Sequence, residues 1–169
     1  MGATTLISVE EYLASTYRPD KEYLSGVLLE CNMGERDHSR PQTDLSTWLN
    51  RRSKMLQAIV LVEQRVQVNP DRFRVPDICV VDRESPEGQI ITHPPVLCIE
   101  ILSRSDTMGE MQERIDDYLR FGVPEVWVWN PRSRKVWIYT AEGAHEVKEP
   151  VVRSKDGRIE VPLADIFTE

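Results

Sequence analysis

The sequence predicts an α/β fold, a mixed β-sheet flanked by helices. Three observations carry this expectation. Residues 96–102 (VLCIEIL) are apolar in both registers of the strand repeat, the pattern of a strand covered on two faces. Residues 108–121 show helical periodicity and stop at Gly122. Residues 123–129 follow at once as another apolar run, so strand, helix and strand form a right-handed βαβ unit with parallel strands.

The remaining elements follow in chain order. Ser8 and Glu11 have the spacing of a capping box, opening a short helix to about Ser15 that Arg18, Pro19 and Asp20 break. Residues 22–24 and 27–31 flank Ser25-Gly26, a hairpin signal. A helix is expected over 39–56, with Pro41 in its first turn and Leu45, Trp48 and Leu49 as its apolar stripe. Residues 60–68 (VLVEQRVQV) alternate as one strand. After the turn Asn69-Pro70-Asp71, residues 74–81 read as a second strand, entered through Pro76. Asn130-Pro131 turns the chain into a strand at 135–139. The tail holds short hairpin strands and one helical turn at 162–167.

A chain of 169 residues fits a single domain, 1–169, and is long enough to bury roughly 70% of its unfolded surface. A net charge of -7 is not that of a chain built for tight, non-specific wrapping of nucleic acid, which needs many phosphate neutralisations. It does not exclude a nuclease, because carboxylates gathered round a metal contribute to it. The three cysteines are odd in number and lack C-x-x-C spacing. Cys79 and Cys98 lie inside apolar runs and read as core thiols in a reducing compartment. The start of the chain has no basic stretch followed by a long apolar run, and no segment approaches the ~18 apolar residues of a membrane helix, so the expected location is the cytoplasm.

Glu100 is the most informative residue. It stands alone in a buried strand, where a carboxylate costs several kcal/mol unless it is paired or bound to a metal. A core salt bridge, or a strand end that reaches water, accounts for it equally simply. Asp77 opens the strand after Pro76, where an acid can also satisfy a nearby loop amide. Together the two acids, each at one end of an apolar strand, converge if the strands are neighbours. They then supply the oxygen ligands that Mg²⁺ prefers. On a helical wheel Arg114 falls inside the apolar arc of Met108, Met111, Ile115, Tyr118 and Leu119. It either snorkels past its neighbours or points at an anion: Glu100, Asp77 or a bound phosphate. Glu22 opens the first hairpin, where an exposed charge is unremarkable. One of Glu63 and Gln64 must face inward. His38 reads as a capping or surface residue ahead of the second helix. The absence of a His or Cys cluster, a Gly-rich phosphate loop and a G-x-S-x-G elbow argues against a zinc hydrolase, an NTPase and an α/β-hydrolase.

These stretches resemble a bacterial family of restriction-endonuclease-like proteins within the PD-(D/E)XK nuclease superfamily. The resemblance runs through ISVEEYL at 7–13, EYLSGVLLE at 22–30, GERDH at 34–38, RVPDI at 74–78, VLCIEILS at 96–103, YLRFGVPEVW at 118–127 and Asn130-Pro131. It covers nearly the whole chain. It implies a restriction-endonuclease-like core with a Mg²⁺ or Mn²⁺ site on Asp77 and Glu100 and with Glu22 close by. The superfamily's lysine two residues after the second acid is Leu102 here. The family carries its lysine on the following helix, four residues before the tyrosine, and that position is Arg114. An arginine stays charged and clamps phosphate, whereas a buried lysine can lose its proton.

Three readings follow. In the first, Asp77 and Glu100 hold the metal, Glu22 assists, Arg114 steadies the scissile phosphate, and the chain cuts DNA, with a two-fold dimer suited to two antiparallel strands. In the second, the fold persists as a nucleic-acid or protein interaction module without turnover. In the third, the charged residues form a structural ion network only.

Overall fold

A computed structural model of the chain describes residues 6–31 and 34–168. Its centre is a six-stranded sheet in the order β10-β9-β8-β7-β6-β3. These strands are β3 (Ala58–Val62), β6 (Ile78–Asp82), β7 (Leu97–Ile101), β8 (Val126–Asn130), β9 (Lys135–Thr140) and β10 (Gly143–Glu146). Only β7 and β8 run parallel, joined by helix α4 (Met108–Phe121), as the βαβ spacing requires; the other neighbours are antiparallel. Helix α4 starts at a complete Thr107–Glu110 capping box and stops at Gly122, whose φ of 108° suits glycine.

Strand alternation sorts the core. Ile78, Val80, Leu97, Ile99, Ile101, Trp127 and Trp129 pack with Leu45 and Leu49 of helix α2 (Arg36–Arg51) on one face. Cys79, Cys98, Val126 and Val128 pack with Met111, Ile115 and Tyr118 of α4 on the other. Both faces are thus covered, and Glu100 is carried on the α4 face by the period of two. The hairpin β11 (Val151–Arg153) and β12 (Glu160–Pro162), with α5 (Leu163–Ile166), closes the α2 side.

A second sheet, β2-β1-β5-β4, comprises β1 (Lys21–Leu24), β2 (Val27–Glu30), β4 (Val66–Asn69) and β5 (Arg72–Arg74). Helix α1 (Val9–Ala14), capped by Ser8, packs Tyr12 against its Tyr23 and Phe73.

Four expectations need correction. The run 60–68 is not one strand. Glu63 adopts φ 51°, and the chain leaves the main sheet there to re-form as β4 in the second sheet. The run 74–81 likewise divides at Val75-Pro76-Asp77, since proline cannot donate to a ladder. The helix expected over 39–56 begins at Arg36, breaks at Arg52 and resumes as α3 (Ser53–Leu56), so Pro41 lies beyond the first turn and His38 within it. Met108 is 83% exposed and leaves the apolar arc of α4, being its first residue.

Charge joins the second sheet to α4. Arg74, 2% exposed, donates from Nε to Asp117 Oδ2 and from Nη1 to Glu22 Oε2, both at 2.7 Å. Arg72 reinforces this with Asp117 at 3.1 Å and Glu113 at 2.6 Å. Removing one partner of such a network leaves buried charge unpaired, which costs far more than the intact pair contributes. Arg74→Met should therefore lower the unfolding free energy by about 3–5 kcal/mol in urea titration. A reduction below about 1 kcal/mol would contradict this account.

Candidate active site

The two strand runs break at the same place, and the break opens a cleft of about 180 Å³ lined by Glu22, His38, Glu63, Asp77, Glu100 and Arg114. The register that pairs Ile78 with Ile99 continues to set Asp77 opposite Glu100. The two acids therefore meet because β6 and β7 are antiparallel neighbours, one beginning where the other ends.

Each carboxylate is held. Asp77 Oδ2 accepts from the Ile101 backbone N–H at 2.6 Å, and Asp77 Oδ1 lies 3.1 Å from His38 Nε2. Glu100, 2% exposed, accepts from the Tyr118 hydroxyl at 2.7 Å through Oε1, while its Oε2 lies 3.5 Å from Arg114 Nη1. Burial pushes the Glu100 carboxyl well above the ordinary carboxylate range. The charges of Asp77 and Glu22 push the same way, against Arg114 and the Tyr118 hydrogen bond. Burial opposes the charge of Arg114, but Glu100, Glu22 and Asp106 outweigh it and keep the guanidinium protonated.

The cleft's arginine and the buried one differ in grip. Arg74 makes short, aligned bonds and is sealed from solvent. The Arg114 side chain is 15% exposed, and its ion pairs to Glu22, Glu100 and Asp106 span 3.3, 3.5 and 3.9 Å. Its Nε is buried without an aligned acceptor among the described residues. Loose contacts leave a fixed cation able to accept another anion. Glu22 is the reverse case: 1% exposed, with Oε2 bound by Arg74 and Oε1 bound by the Val75 N–H at 3.2 Å. Glu22 anchors the two arginines and has little left for a further ligand.

His38 is the residue that sequence reasoning misses. It is buried in the first turn of α2 and faces Asp77. The GERDH stretch is visible in the sequence, but a helix expected from residue 39 leaves His38 outside it, whereas α2 begins at Arg36. Asp106 is a second such residue; it closes the loop after β7 by accepting from the Ser103 N–H at 2.7 Å and lines the cleft. Glu63 lines the cleft too, held by Gln42 Nε2 at 3.2 Å. Cys31 lies on the wall, but burial first, then Glu22 and Asp20, pushes its thiol up to about 12, so it is no nucleophile at neutral pH.

The donor set suits a hard cation. Among the described residues no three His, Cys, Asp or Glu side chains group as a ready metal cage. Mg²⁺ does not require one: it is held by one or two carboxylates and keeps waters or phosphate oxygens as its other ligands. Asp77 and Glu100 fit that demand, and Asp77, 17% exposed at its side chain, is the reachable member.

Burial lowers the His38 pKa, but the Asp77 hydrogen bond and the charges of Asp77, Asp106 and Glu63 raise it further, for a net upward shift. A raised folded pKa stabilises the fold fully below the unfolded imidazole value near ~6.5, and that contribution is lost as pH rises through the folded value. His38→Gln should therefore show its largest stability deficit near pH 6, shrinking toward pH 9, in urea titrations at each pH. A deficit that grows with pH would contradict the assigned contact.

The model of the Uma2 family, described as "Putative restriction endonuclease", matches residues 9–165. No curated protein matches. Among solved structures, a crystal structure described as a "putative nuclease" from Anabaena variabilis ATCC 29413 superimposes with a TM-score of 0.82 at 23% identity. The match covers 95% of this chain and 97% of that one, a likeness of fold. Among the described residues no helix is long and apolar enough to cross a membrane. The fold is thus the restriction-endonuclease-like one that the sequence resembled, and the chain belongs to the Uma2 family.

Proposed function

We propose that this chain is a metal-dependent endonuclease that hydrolyses phosphodiester bonds of DNA. The observation that carries the reading is the meeting of Asp77 and Glu100 across β6 and β7 with a loosely held Arg114 in the same cleft. Asp77 and Glu100 would hold Mg²⁺ or Mn²⁺, which supplies charge neutralisation at the phosphate and a more acidic water.

The chain's own groups divide the remaining work. Arg114 binds a non-bridging oxygen of the scissile phosphate and offsets charge that grows in the transition state. Its guanidinium stays protonated, so it takes no proton from the attacking water. The Tyr118 hydroxyl holds Glu100, and the Ile101 N–H with His38 fixes Asp77, so both acids are oriented before substrate arrives. Glu22 positions Arg114 from behind.

A second reading has one specific observation in its favour. Arg114 already stands 3.5 Å from Glu100 as a resident cation, which suits an interaction module without turnover.

Cleavage of supercoiled plasmid with Mn²⁺ separates the two. The proposal expects nicking by the wild type and none by Glu100→Gln. Arg114→Lys should retain cleavage, while Arg114→Met should lower the rate about 10²–10³-fold, the usual cost of losing one transition-state donor. Equal cleavage by wild type and Glu100→Gln would overturn the site assignment. Absence of cleavage by wild type on DNA of any form would favour the second reading.

A further inference from the structure

The edge of the main sheet that bears Glu100 carries a second feature. Strand β8 runs parallel to β7 with Ile101 beside Trp129, so both strands end together. The turn after β8 therefore lies at the same edge as the cleft. In that turn the Asn130 carboxamide oxygen accepts from the Arg132 and Ser133 N–H groups at 3.1 and 3.2 Å. This fixes the direction in which Arg132 and Arg134 leave the sheet. The start of α2 reaches the same edge, since Arg104, in the loop after β7, contacts Glu35 at 3.5 Å and Asp37 at 3.7 Å.

Between the start of α2, this turn and the end of α5 lies a groove of about 350 Å³ with Arg36, Arg40, Arg132 and Arg134 on its walls. All four are exposed. Arg40 leans on Thr168 Oγ1 at 2.7 Å and stands 3.8 Å from Asp44 one turn along α2, and Arg134 leans on the Phe167 carbonyl. Arg36 and Arg132 have no ion-pair partner among the described residues. Among the described residues Asp37 is the one acid on the groove's walls, and it already faces Arg104. Four arginines on one small groove are conspicuous in a chain of net charge -7. Guanidinium groups at this density suit a polyanion with regularly spaced phosphates.

We propose that this groove binds the phosphate backbone of double-stranded DNA beside the cleft, holding the duplex across the edge of the sheet. The inference rests on the nuclease reading for the nature of its ligand. It adds the direction in which the substrate leaves the cleft, over the start of α2 and the β8–β9 turn. It also explains how an acidic chain engages an anionic partner: exposed arginines gather beside the cleft, where the duplex backbone lies, so the cleft's acids need not meet the duplex unaided.

The test is fluorescence anisotropy with a labelled random-sequence duplex in EDTA, across a salt series. It compares wild type, the double variant Arg36→Ala/Arg132→Ala, and Arg51→Ala at the opposite end of α2. The double variant should bind more weakly on every sequence. The slope of log K against log salt should fall by about two, one for each phosphate no longer neutralised. Arg51→Ala should match the wild type. Circular dichroism guards against misfolding. A double variant that binds with wild-type affinity and slope overturns the groove, and if it still cuts plasmid, the nuclease reading survives alone. Groove-dependent binding in a wild type that cuts nothing supports the groove and removes the nuclease reading. Wild type without salt-dependent duplex binding overturns the groove.

Discussion

A carboxylate in a strand covered on both faces has to be compensated, and much of this site can be understood as the compensation of Glu100. Its strand is flanked by β6 and β8 and roofed by α4, and Glu100 itself is 2% exposed on the wall of the cleft. Helix α4 provides the Tyr118 hydroxyl and the Arg114 guanidinium, one turn apart on the face that meets the sheet. Those contacts offset only part of the desolvation, and the carboxyl still holds its proton to unusually high pH. A site that is costly for a lone anion is a favourable one for a cation that brings two charges.

The second constraint is the division of β3–β4 and β5–β6 between two sheets. A continuous ladder through Glu63 and Asp77 would fill the space where the cleft now lies. Instead both runs turn away together, and Glu63 N–H donates to the Asp77 carbonyl at 3.2 Å to hold the breaks side by side. The second sheet is then secured by buried charge, Arg74 between Glu22 and Asp117. Glu22 belongs to both arrangements, since its other oxygen faces Arg114. The stability of the sheet junction and the setting of the cleft's cation thus share one residue.

Much of this is legible in the sequence where a single period governs an element. The apolar run of β7, the capped helix α4 and the parallel return in β8 follow from local pattern, and so does the oddity of Arg114 within an apolar arc. Asp77 and Glu100 stand out because acids are rare in such strands. The break at Glu63 is not legible as a change of sheet, because alternation continues through residues 60–68 and a period of two carries no information about the partner strand; Pro76 marks an interrupted ladder, but not that the chain changes sheet there. His38 and Asp117 escape sequence reasoning for a related cause. Their burial depends on Asp77 and on Arg72 and Arg74, which only the tertiary fold brings near.

The central claim is that Asp77 and Glu100 form a cation site and not merely a structural ion network, and calorimetric titration of Mn²⁺ into wild type and Glu100→Gln addresses it without any assumption about substrate. The account predicts about one equivalent bound by the wild type, in line with a two-carboxylate site. It predicts tighter binding as pH rises, because the Glu100 proton must leave. It predicts no binding by Glu100→Gln. Equal heats for the two proteins, or no dependence on pH, would contradict it.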